Sequence, residues 1–136
     1  MRIMAVDYGD TRTGVAVSDS LRTIAGDAWV ITDTNSVSLA EKIADEAVRR
    51  DVGVVVVGYP RNMDGTLGPR AEKSEALSIL LRKRGLDTRL WDERRTTVDA
   101  HRILDNAGRY GKKRKQTVDA VAATLILEGF LRSLGA

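Results

Sequence analysis

At 136 residues, 43% hydrophobic and 30% charged, the chain has the composition of one soluble globular domain, residues 1–136, with no room for a second and no repeat or low-complexity tract. With no cysteine and one histidine, disulfides, thiol nucleophiles, thiolate metal sites and a histidine-rich zinc site are excluded. A net charge of +3 and a pI near 9.4 point weakly to a polyanionic partner, and with neither a signal-type N-terminus nor an apolar run of about 18 residues the expectation is a cytoplasmic protein without membrane contact.

The first elements form a hairpin with an acid at its tip. Ile3 to Val6 is a short apolar strand that delivers Asp7 at its end, Gly9 and Asp10 turn the chain, and Thr13 to Val17 carries it back. Asp7 is thereby either a site residue where a sheet meets solvent or a turn-initiating Asp bonded to its own backbone. Thr23 to Thr32, with Trp29, Val30 and Ile31, reads as a third strand of an antiparallel meander. Ser38 and Glu41 match a capping box, and the apolar spacing of Leu39, Ile43 and Ala47 predicts a helix to about Arg50. Val52 to Val57 is an almost unbroken β-branched run, the pattern of a strand buried on both faces.

RNMDGTLG, residues 61–68, is a loop containing an Asp-Gly turn. Pro69 opens a second helix that Gly85 ends, and Leu86 to Trp91 is a strand leading into Asp92, Glu93, Arg94 and Arg95. Thr96 and Asp99 predict the start of a helix to about Ala107. Gly108, Gly111 and the basic residues between them and Lys115 predict a mobile loop, and a last helix runs from about Thr117 to Leu134. Strand and helix alternate in the second half, which implies parallel pairing. The predicted fold is α/β: a mixed five-stranded sheet, an antiparallel meander of three strands plus two parallel strands, flanked by helices.

Charge is unevenly distributed. Between Arg94 and Lys115 eight basic residues stand against two acids, a net +6 that leaves −3 for the rest of the chain. Such a block fits a phosphate-binding patch, and a solvated helix face and loop is the plainer reading. Asp119 is the sharper signal. At about 100° per residue it falls opposite the polar stripe of Thr117, Thr124, Glu128 and Arg132, beside Ala122, Ala123 and Ile126. A carboxylate on the apolar side of a helix is costly unless compensated; the plainer reading is a favourable position near the helix N-terminus.

Asp7, Glu93 and Asp119 could converge at one sheet edge, where their mutual repulsion calls for a cation. All are hard oxygen ligands, which selects Mg²⁺ or Mn²⁺. Carboxylate-held metal beside a polycation describes metal-assisted phosphodiester cleavage. Repulsion among bare acids also predicts that Asp7→Asn leaves the fold intact or slightly more stable.

DYGDTRTGVAVSD, GYPRNMDGTLG, DERRTT and VDAVAATLILEGFL, in that order across nearly the whole chain, resemble the successive motifs of the YqgF family, also called RuvX. The resemblance implies an RNase H-like fold and a bacterial cytoplasmic nuclease, described in the family both as a Holliday-junction resolvase and as a factor maturing the 5′ end of pre-16S rRNA. It places Asp7, Glu93 and Asp119 as the catalytic, metal-holding acids. Related nucleases commonly use four carboxylates, and Asp92, Asp10 and Asp64 are the spare acids; Asp92, next to Glu93 on a strand end, should face the other way.

The leading expectation is a nuclease on structured RNA, with Arg94, Arg95, Arg109, Lys112, Lys113, Arg114 and Lys115 contacting phosphates and Asn62 orienting the strand. A four-way DNA junction is the alternative substrate, cut by a symmetric dimer, so the assembly is expected to be a monomer or homodimer. Two readings from other classes stand beside these. One is an ATP-binding module, which normally needs two such domains; the other is a non-catalytic nucleic-acid-binding factor. His101 lies beside an apolar helix face and is more simply a boundary residue than a general base.

Overall fold

The computed structural model describes residues 1–60, 68–93 and 111–134. Five strands, β1 (Arg2–Asp7), β2 (Arg12–Ser18), β3 (Ala25–Thr32), β4 (Val52–Pro60) and β5 (Thr88–Glu93), form one sheet in the order β3-β2-β1-β4-β5. The first three pair antiparallel, and β1–β4 and β4–β5 pair parallel. The expected meander plus parallel pair is the observed sheet. Three helices complete the described residues: α1 (Ser36–Arg49), α2 (Pro69–Lys83) and α3 (Gly111–Ser133). None of them is long and apolar enough to cross a membrane.

The side-chain alternation of the strands divides the interior into two layers. Met4, Val6, Val15, Val17, Val55 and Val57 face α1 and α2, where they meet Leu39, Ile43, Leu77 and Leu81. On the other face Ile3, Ala5, Ala16 and Val56 pack on Ala123, Ile126, Leu127 and Phe130 of α3. Trp91 extends this second layer, its ring edge-on to Phe130 with centroids 5.5 Å apart. β1 and β4 are thus apolar on both faces, which is why their sequences show unbroken hydrophobic runs.

Three local expectations change. α1 is capped by Asn35, whose side chain accepts from the Val37 and Ser38 amides, instead of by a Ser38–Glu41 box. Ser38 is occupied elsewhere: its hydroxyl donates to Asp33 at 2.6 Å. Together with the Asn35 amide and Lys42, that bond lowers the Asp33 carboxyl to a pKa of about 2. β5 begins at Thr88, later than Leu86, and continues through Glu93, which pairs with Pro60 at the end of β4.

The largest change concerns the last helix, which begins at Gly111 instead of near Thr117. Lys112, Lys113, Arg114 and Lys115 are therefore helical in backbone and not part of a loop. The reason is propensity: from Lys112 to Glu128 there is no glycine or proline, and Lys, Arg and Gln are good helix formers. That propensity outweighs the flanking glycines and the dense positive charge, which by themselves suggest a loop.

Candidate active site

The carboxyl ends of the parallel strands β1, β4 and β5 lie at one edge of the sheet, and this edge gathers the candidate acids. Asp7 is the last residue of β1 and only 6% exposed. Its row on the strand is that of Ile3 and Ala5, the face covered by α3. The hairpin turn behind it depends on Gly9, where a Cβ would lie 2.1 Å from the Arg12 carbonyl oxygen. Buried Thr13 braces the turn, its Oγ1 accepting from the Gly9 amide at 3.3 Å.

Asp119 comes from α3, and Gly14 is what lets it approach. Gly14 is the β2 register partner of Asp7. A Cβ at Gly14 would lie 1.9 Å from the Asp119 carbonyl oxygen and 2.5 Å from its carbonyl carbon. Helix backbone therefore rests directly on strand backbone at the residue paired with Asp7. The small residues on this side of α3 permit the approach, in keeping with the helical angles. Two of the three expected acids thus share Gly14 as a neighbour.

Each acid has a cation beside it. Arg70, in the first turn of α2, places Nη2 3.5 Å from Asp7 Oδ1 and donates to the Tyr8 carbonyl at 3.2 Å. Arg12, opening β2, places Nε 3.4 Å from Asp119 Oδ2. That nitrogen is buried and, although close in charge, makes no aligned hydrogen bond. Lys73, one turn after Arg70, pairs with Asp10 at 2.8 Å. Hydrogen bonding and charge from Lys73 hold the Asp10 carboxyl below its ordinary value, and Asp10 in turn raises the Lys73 ammonium. A cleft of about 570 Å³ lies over these groups, with Asp10, Arg12, Arg70, Lys73 and Asp119 in its wall. The repulsion among bare acids expected from sequence is therefore offset by internal cations, which removes the reason for Asp7→Asn to stabilise the protein.

Glu93 closes β5 at the same edge, two strands from Asp7. Its side chain lies outside the described residues. Asp92 continues the strand row of Leu90, which packs on the α1–α2 side, whereas Trp91 belongs to the α3 side. Among the described residues no three acids gather at ion-binding spacing. Asn62, Asp64, Arg94, Arg95, His101 and Arg109 lie outside the described residues, as do the side chains of Lys112, Lys113, Arg114 and Lys115.

Arg12, Arg70 and Lys73 were not anticipated from sequence. A signal was present for one of them. Arg70 stands in the first turn of α2, the positive end of its dipole, where a cation is unfavourable unless something else holds it.

Comparison with known proteins bears on the family and the fold. The profile of the RuvX family, described as "Holliday junction resolvase", matches residues 1–133. A protein of Halothermothrix orenii named "putative pre-16S rRNA nuclease" is 48% identical over 134 residues, 96% of this chain and 94% of its own. One of the same name from Acetivibrio thermocellus is 43% identical, covering 99% and 98%. Among solved structures, Thermus thermophilus RuvC in complex with a Holliday junction substrate superposes with a TM-score of 0.56 at 14% identity, over 99% of this chain and 96% of that one. The fowlpox virus resolvase in complex with Holliday junction DNA gives 0.58 at 15% identity, with 100% of both chains covered. The fold is that of these RNase H-like resolvases, and by sequence the chain belongs to the RuvX family.

Proposed function

We propose that this chain is a divalent-cation-dependent phosphodiester endonuclease that processes the 5′ end of pre-16S rRNA, acting in the cytoplasm as a single RNase H-like domain over residues 1–136. The observation that carries the reading is that Gly14 neighbours both acids, as the register partner of Asp7 and as the seat of the Asp119 backbone, at a cleft lined by Asp119, Arg12, Arg70 and Lys73. The names of the relatives at 43–48% identity support the choice of substrate.

The donor set fits a hard divalent cation. Mg²⁺ takes one or two carboxylates and completes its shell with water and phosphate oxygens, and Asp7 and Asp119 supply hard oxygens, with no soft ligand among the described residues that line the cleft. Glu93, at the same edge, is the third acid assigned to it. Such an ion would activate water and polarise the phosphoryl oxygen. The chain's own residues orient the carboxylates: β1 fixes Asp7 through its ladder with β2 and β4, and α3 fixes Asp119 through its backbone contact with Gly14. Lys112 to Lys115 open α3 about 6–10 Å along the helix axis from Asp119, and with Arg94, Arg95 and Arg109 they are assigned to strand phosphates. Asn62 is assigned to strand orientation.

A four-way DNA junction is the second substrate reading, favoured by the likeness to resolvases solved with junction DNA. It requires paired cuts and hence a homodimer. One assay separates the readings: the protein is incubated with Mg²⁺ or Mn²⁺ and either a pre-16S rRNA 5′ leader or a four-way junction, with Asp7→Asn as the control for contaminating nuclease. We expect metal-dependent cutting of the RNA that Asp7→Asn abolishes. Symmetric Asp7-dependent cutting of the junction with the RNA intact would overturn the substrate assignment. Binding of either without cutting would make the protein a non-catalytic factor.

A further inference from the structure

Arg12 and Arg70 sit beside acids that the nuclease reading reserves for a cation, and their pairings are loose. Both nitrogen–oxygen distances, 3.4 and 3.5 Å, exceed those of a charge-assisted hydrogen bond, which run to about 2.9 Å. Arg12 Nε is moreover a buried donor without an aligned acceptor. The neighbouring Lys73–Asp10 pair, at 2.8 Å, is closed normally and ties α2 to the β1–β2 turn. One cation is therefore closed on its acid, while Arg70 is tethered to the Tyr8 carbonyl with only a long bond to Asp7, and Arg12 Nε meets Asp119 by charge alone. All three border one open cleft. A guanidinium is well shaped to grip a phosphate through two parallel donors.

We propose that Arg12 and Arg70 form an exchange subsite for a backbone phosphate of the bound nucleic-acid strand. They stand beside Asp119 and Asp7; when a divalent cation takes those carboxylates, the guanidiniums turn into the cleft and bind the phosphate. The subsite rests on the assignment of Asp7 and Asp119 as cation ligands. It is separate from the basic run of residues 94–115, because its cations come from β2 and α2. Ion and strand then help one another. The strand draws the arginines away from the carboxylates, and the ion frees the arginines for the strand. By linkage, each tightens the other by the same factor.

The experiment compares wild type, Arg70→Gln and Arg70→Lys, with Arg12→Gln as an independent second variant. Arg70 is half exposed, with 53% of its side chain accessible, so its replacement should leave the fold intact. Mn²⁺ affinity is measured by calorimetry without nucleic acid. Affinity for a short fluorescent single-stranded RNA is then measured with and without Mn²⁺, and strand integrity is checked after each titration. We expect Mn²⁺ to tighten strand binding by wild type roughly tenfold, within the usual span of coupling. Arg70→Gln should bind Mn²⁺ alone about threefold or more tightly than wild type, bind the strand more weakly, and lose most of the coupling; Arg70→Lys should restore part of it. Unchanged or weaker Mn²⁺ affinity in both Gln variants, or no Mn²⁺ binding by wild type, would overturn the proposal. Coupling in a wild-type protein that cuts neither RNA nor junction would leave the subsite standing and remove the nuclease reading. Cutting with Gln variants of unchanged ion affinity would do the reverse.

Discussion

Gly14→Ala adds one methyl group at the point where α3 meets the sheet. Its backbone is ordinary for a strand, so the effect is one of space alone. The new carbon would stand 1.9 Å from the Asp119 oxygen and 2.5 Å from its carbon, where real Cβ atoms essentially never come within 3.0 Å. Helix or strand must withdraw by about 1–1.5 Å, and because the obstructing atoms are backbone, no rotamer change can absorb it. Overpacking costs about 1–3 kcal/mol, and a backbone clash belongs in the upper part of that range. At this chain length a kilocalorie corresponds to roughly 3–5 °C in Tm, so thermal unfolding followed by circular dichroism should show a fall of about 6–15 °C. A displacement of that size at Asp119 should also cut turnover by on the order of a hundredfold at temperatures where the variant is folded. A Tm within about 2 °C of wild type, with turnover retained, would refute the claim that Gly14 sets the seat of Asp119.

Gly129→Ala should do the opposite. Its Cβ would meet the Trp91 indole nitrogen at an ordinary 3.5 Å inside α3, so removing a helical glycine should raise stability by about 0.5–1 kcal/mol, read as a higher Tm. Asp33, with its folded pKa lowered to about 2, stabilises the fold above the ordinary carboxylate range and loses that contribution as pH falls from about 4 toward 2. Asp33→Asn should therefore lower Tm at neutral pH and leave a shallower acid dependence; parallel curves would refute the assignment. Replacing Lys112, Lys113, Arg114 and Lys115 with Gln should flatten the salt dependence of nucleic-acid binding by about 0.7–0.9 log units for each phosphate the protein no longer neutralises, and an unchanged slope would return the run to a solvated helix face.

The sheet was legible because its strands obey simple patterns. The β-branched run of Val52 to Val57 can only be a strand covered on both sides, and the alternation ending in Asp7 places an acid at an edge. Asp119 could be found because helical angles set it among alanines. What escaped was tertiary. Arg12 and Arg70 acquire their meaning only when β2 and α2 are brought to the acids, and no local period encodes that meeting. Gly14 carried a fainter signal, a glycine inside a strand, which often marks close backbone approach. The start of α3 was hidden because flanking glycines suggest a loop where helix propensity prevails.

The seat of Asp119 on Gly14 also bears on how the molecule folds. The two residues are about a hundred positions apart, and closing a loop of that length costs about 4 kcal/mol in chain entropy, against about 1 kcal/mol for the four-residue turn joining β1 and β2. The hairpin carrying Asp7 can form early and locally, whereas its opposite carboxylate arrives only when α3 docks over the finished meander. A partly folded chain consequently holds the two acids apart. On the proposed assignment of both acids to the reaction, incomplete folding yields a molecule that cannot cut, instead of one that cuts with little specificity.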